Sequence, residues 1–139
     1  MNVLASSLIA ASAAVVLLLG LVHLLYTFHG TKLHPRDPQL TAALKEASPV
    51  LTRQTTMWKV WVGFNASHSF GAILFGAVYG YLTLLYGPFL FQSRFLLGLG
   101  LLLLMGYTLL GKFYWFSIPF RGIVFATLLY LGGLVAAAA

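Results

Sequence analysis

Hydrophobic and polar positions in this chain come in blocks rather than alternating, and four of the apolar blocks are long enough to cross a bilayer, which takes about 20 helical residues. The first runs from Val3 to Phe28 and stops at His29-Gly30, where Gly30 is placed to cap a helix C-terminus. The second runs from Trp58 to Tyr86 and stops at Gly87-Pro88. The third, Phe95 to Phe113, is short and dense in leucine, and the fourth runs from Gly122 into the alanines near residue 137. Between the first two lies the one polar segment of any length, residues 30–57. Within it "DPQLTAALKEASPV" predicts a helix over about 38–48, with Asp37 as N-cap, Pro38 at the first helical position and Pro49 ending it. Leu40, Ala43, Leu44 and Ala47 recur there at helical spacing, so this helix is amphipathic and suited to a membrane surface or the side of a bundle. The pattern predicts an all-α protein: a single transmembrane domain of four helices in a bundle, with one short surface helix in the first loop.

Composition sharpens this. Of 139 residues 60% are hydrophobic and only 7% charged, against about a quarter charged in a soluble domain, and the mean hydropathy is +0.94. Ten charged side chains cannot cover a globule of this size in water. There is no cysteine, which removes disulfides, thiolate catalysis and Cys-held metals. The only carboxylates, Asp37 and Glu46, lie in the polar segment. Carboxylate-driven antiport, di-metal carboxylate sites and paired-carboxylate hydrolysis are therefore excluded. The first apolar run carries no Lys or Arg ahead of it and is too long for a signal core, so it reads as a retained span.

The formal charge of +6 raises the question of nucleic acid, but the placement of the cations answers it. Lys32, Arg36, Lys45, Arg53 and Lys59 fall between spans one and two, and Lys112 and Arg121 between spans three and four. Only Arg94 falls between spans two and three. Alternating spans put seven of the eight on one face, which the positive-inside rule makes cytoplasmic. Both termini are then expected on the non-cytoplasmic side, the lipid bilayer is the partner, and nucleic acid is not.

The polar residues inside the spans are the candidate chemistry. Asn65, Ser69, Ala72, Gly76, Gly80 and Thr83 trace one face of the second span, with His68 beside them. Ser12, Val16, Gly20, His23 and Thr27 make a matching stripe on the first. Small residues allow close helix approach and polar ones bond across the contact, so the two stripes are expected to face each other. Gly20, Ala72, Gly76 and Gly80 would form the packing surface. Ser67 and Ser69 are expected as interhelical glue, although a serine can also bond its own preceding turn.

Imidazoles in a membrane mark a possible site by default. His23 lies six residues before His29, hence about 9 Å deeper, and His68 about 15 Å into its span. Three uses can be set side by side. Haem held between His23 and His68, with Gly20, Gly71 and Gly76 making room, needs the two rings level, whereas this estimate leaves them about four residues apart. A zinc or copper site needs tighter spacing than the four histidines show, so no metal is expected. A lipid- or quinone-like ligand would use His68 and Asn65 at its polar head, with His23, Thr27 and Ser69 nearby. Trp61, Phe64, Tyr26 and Tyr107 would then wall the pocket. His68 is expected inside the bundle within reach of His23 or Thr27, because an imidazole facing hydrocarbon loses its hydrogen bonds with water. His34, in "HPRD", is expected as a loop residue bonded to Asp37 or water. The aromatics of "KFYWFSIPFR" are expected as interface anchors in a third connection.

With "HPRD" in its first loop and "FNASHS" entering the second span, the chain resembles a group of small four-span bacterial membrane proteins with no assigned activity. The likeness covers roughly residues 20–75 and implies a bacterial inner (cytoplasmic) membrane. The expected function is a non-enzymatic subunit or accessory component of a membrane complex or homo-oligomer. The alternative is a lipid-, quinone- or haem-binding protein centred on His23 and His68.

Overall fold

Each apolar run folds as one long α-helix, because in hydrocarbon a backbone must satisfy its own N–H and C=O groups. The computed structural model describes residues 2–139. It contains α1 (Val3–Phe28), α2 (Pro38–Glu46), α3 (Met57–Leu85), α4 (Gly87–Gln92), α5 (Arg94–Tyr114) and α6 (Ser117–Ala138). The described residues form helices joined by loops, with no strand among them, and α1, α3, α5 and α6 are the four helices long and apolar enough to span a membrane. The protein is a small multi-pass membrane protein.

Local chemistry sets the boundaries. Gly30, at φ +80°, turns the chain out of α1, a conformation that costs glycine nothing. Asp37 caps α2 by accepting from the Gln39 N–H at 2.8 Å, with Pro38 following as expected. Two boundaries differ from the sequence reading. Gly87-Pro88 ends α3 but also opens α4, since a proline fits a first turn whose N–H has no intrahelical partner. Ser93 then caps α5 through the Leu96 N–H. The expected aromatic connection before the last span shrinks to Trp115 and Phe116, because Pro119 sits within the first turn of α6 and extends that helix back to Ser117.

The chain divides into two compact units, one comprising the chain to Leu19 with Ala72–Ala139, the other Gly20–Gly71. In the first, α1 and α6 run antiparallel, since Leu19 meets the Gly122 position, Ser12 meets Ala126 and Ile9 meets Gly133. The upper part of α3 packs on α1 at Gly76, where an added Cβ would lie 2.6 Å from Leu17 Cβ and 2.7 Å from the Ala13 carbonyl oxygen. Two tyrosines fasten α5: Tyr79 of α3 donates to Leu96 O at 2.6 Å and Tyr130 of α6 to Leu97 O at 3.0 Å. Both rings press on Gly100. Thr108 and Thr127 bond between α5 and α6 at 3.0 Å. Each of the four helices thus contacts at least two others in this unit, a bundle around Ile9, Val16, Phe75, Leu104, Ile123 and Tyr130.

Two packing expectations are corrected. Ser12 does not face α3; it donates to Ala126 O of α6 at 2.7 Å. Trp115 is not a simple interface anchor: it turns inward over Gly111 beside Tyr107, while Phe113, Tyr114 and Phe116 stay exposed. Gly76 and Ala72 are buried as expected, Gly20 is buried, and the Gly80 position lies at ordinary contact distance from Ala13.

Candidate functional site

The histidine cluster lies wholly in the second unit, where the last turns of α1 meet the first turns of α3. His23 Nε2 and Asn65 Oδ1 are 3.0 Å apart. Asn65 Nδ2 donates to Trp61 O at 2.8 Å. A carbonyl oxygen can only accept, so the amide nitrogen must face Trp61 and the amide oxygen must face His23. His23 therefore donates through Nε2. His68 packs edge-on against His23, with ring centroids 5.4 Å apart at 87°.

The rings are level, not four residues apart. The first turns of α3 meet the loop that follows α1 through Trp58 and Trp61. Trp61 Nε1 donates to Leu33 O at 3.1 Å, and Trp58 takes the His34 ring edge-on at 4.7 Å. That overhang of α3 brings His68 to the level of His23.

The hydroxyls are not interhelical glue. Ser69, fully buried, donates to Asn65 O; Ser67 donates to Phe64 O; Thr27 donates to His23 O. Each bonds its own preceding turn, which lies within one rotamer of a helical Ser or Thr. The expected aromatic walls within this unit do not assemble either. Phe64 is 72% exposed and Trp61 48%. Tyr26 carries the Lys32 ammonium 3.9 Å above its ring. Tyr107 belongs to the first unit, beside Trp115. His34 lies in the loop, its ring edge-on to Trp58, and Asp37 accepts from the Gln39 N–H.

Among the described residues no three His, Asp or Glu side chains converge to hold a metal. Ligating haem iron through His23 Nε2 would break the bond to Asn65.

A second feature of this unit has Trp58 and Trp61 as its supports. Past Gly30 the chain folds over the start of α2 around a cleft of about 690 Å³, lined by Lys32, His34, Arg36 and Lys45 among others. Pro38, Thr41, Ala42 and Lys45 line it at helical spacing along one face of α2, and the other lining residues come from the loop before that helix.

The fold thus defines a small multi-pass membrane protein with a self-bonded His/Asn cluster in one unit. In comparisons with known proteins, no family model matches the chain, and neither a curated protein nor a solved structure matches it.

Proposed function

We propose that this protein is a non-enzymatic subunit or accessory component of a membrane complex, in a bacterial inner membrane with both termini outside. The observation that carries the reading is the internal pairing of the polar cluster. His23 is held by Asn65, Asn65 by Trp61 O, and Ser69 and Thr27 by their own helices. A catalytic site instead needs a nucleophile or base directed at substrate. The partner side of the proposal draws on α5, where an added Cβ at Gly98 or Gly106 would meet nothing within 4 Å. A helix-interior glycine costs about 1 kcal/mol relative to alanine, and here the chain's own packing returns nothing. Close approach by another membrane helix would.

The test is mild-detergent extraction followed by native electrophoresis, on the natural chain and on Gly98→Leu/Gly106→Leu. A larger assembly in the first and a free, folded chain in the second are expected. A monodisperse single chain in both would end the subunit reading.

A second reading, ligand binding at the paired imidazoles, is favoured by one observation: two helices hold His23 and His68 at 5.4 Å. A Soret band, or a co-purifying lipid or quinone lost in His68→Ala, would establish it.

A further inference from the structure

The cleft in the second unit is a separate feature from the histidine cluster, and its chemistry is that of an anion receptor. Three cations line it, Lys32, Arg36 and Lys45, together with the His34 ring and the Thr31 and Thr41 residues. Neither carboxylate of the chain lines it: Asp37 faces the start of α2, where Gln39 N–H engages it. Two of the cations are positioned by aromatic rings. Lys32 Nζ sits 3.9 Å over Tyr26, and Lys45 Nζ 5.8 Å from the centre of Trp58. A ring face orients an ammonium without neutralising it, so the charge stays available to a ligand. His34 is braced against the same Trp58, and Met57 N–H bonds Ala47 O at 2.8 Å, tying the end of α2 to the start of α3.

The location narrows the class of anion. Thr31 follows the end of the apolar helix α1 by only three residues, which sets the cleft at headgroup depth. Its volume, about 690 Å³, is in the range of small-molecule sites and far larger than a bare ion needs. A planar guanidinium beside two ammonium groups is the donor set that phosphate oxygens select. We propose that this cleft binds the phosphate of a phosphorylated small molecule or lipid headgroup, with Arg36 and Lys45 as its principal contacts and Lys32 at its rim.

The test uses the full chain in a non-ionic detergent, with the His34 ring resonances as reporter. One titration adds dioctanoyl phosphatidic acid, another inorganic phosphate, and a third dioctanoyl phosphatidylcholine as the zwitterionic reference. A saturable shift of the His34 signals is expected, with phosphatidylcholine causing none. Binding of the lipid alone would identify a headgroup, and equal binding of inorganic phosphate a free phosphate group; either supports the proposal. Arg36→Gln/Lys45→Gln should weaken binding by about tenfold or more for each cation removed. Lys112→Gln/Arg121→Gln, which removes the same charge elsewhere, should leave it unchanged. The proposal is overturned if neither phosphate probe moves His34, or if the Lys112/Arg121 variant loses as much affinity as the cleft variant. Unchanged helical circular dichroism in both variants ties the loss to the cleft rather than to folding.

Discussion

Asn65 bonds in two directions, to the imidazole of a neighbouring helix and to its own preceding turn, and so couples α1 to α3 in the second unit by a side-chain hydrogen bond. Hydrogen bonds between membrane helices average about 0.6 kcal/mol and reach about 1.7. A double-mutant cycle of His23→Ala and Asn65→Ala, read by thermal unfolding in detergent, should return a coupling inside that range. Additive effects would show that the 3.0 Å contact contributes nothing. Ser69→Ala should be close to neutral, since its hydroxyl bonds only its own helix. Ser6 differs, because its Oγ is buried without a hydrogen-bond partner. Removing an unsatisfied buried hydroxyl relieves its desolvation cost, so Ser6→Ala should hold or raise the melting temperature. A clear drop would mean that the oxygen has a partner after all.

At the scale of helices, glycine has opposite meanings at different positions. Gly76 is where α3 touches α1: a Cβ there would meet backbone atoms of Ala13 and Leu17 inside 3 Å, and neither can move without moving its helix. Gly76→Ala should destabilise by about 1–3 kcal/mol, the usual cost of overpacking. Gly100 lies under Tyr79 and Tyr130, which also bond the adjacent turn of α5. Its alanine variant should displace both rings and lose stability on the same scale. Gly98 has open space around it, so Gly98→Ala should stabilise the isolated chain by up to about 1 kcal/mol through helix propensity and a less flexible unfolded state. Parallel melts of the three variants compare them directly. Equal losses at Gly76 and Gly98 would contradict the packing described.

For the whole molecule, the cation distribution makes the orientation testable. An alkaline phosphatase fusion at Ala139 should be active and a green fluorescent protein fusion there dark, because seven of the eight cations lie in the connections assigned to the cytoplasm. The reverse result would invert the topology and place the phosphate cleft on the opposite membrane face.

The element count was open to sequence reading because apolar length alone decides it: a run of about 20 such residues has no other low-energy state in lipid than a helix. The ends of α1 and α2 were readable for an equally local reason, a left-handed glycine at 30 and an Asp-Pro start at 37–38. The His23/His68 pairing was legible as a juxtaposition, through chemical type and helical face, but its level was not. The overhang of α3 past α1 depends on Trp58 and Trp61 finding His34 and Leu33, residues more than twenty positions away. Partner choice was equally out of reach. Ser12 could have bonded α3 or α6, and only the register of α1 against α6 brings Ala126 O to 2.7 Å. Tyr79 and Tyr130 read as ordinary apolar-run aromatics until α5 presents the Leu96 and Leu97 carbonyls to them. Periodicity records which face of a helix is polar; which neighbour that face meets, and at what height, is decided when all the helices pack at once.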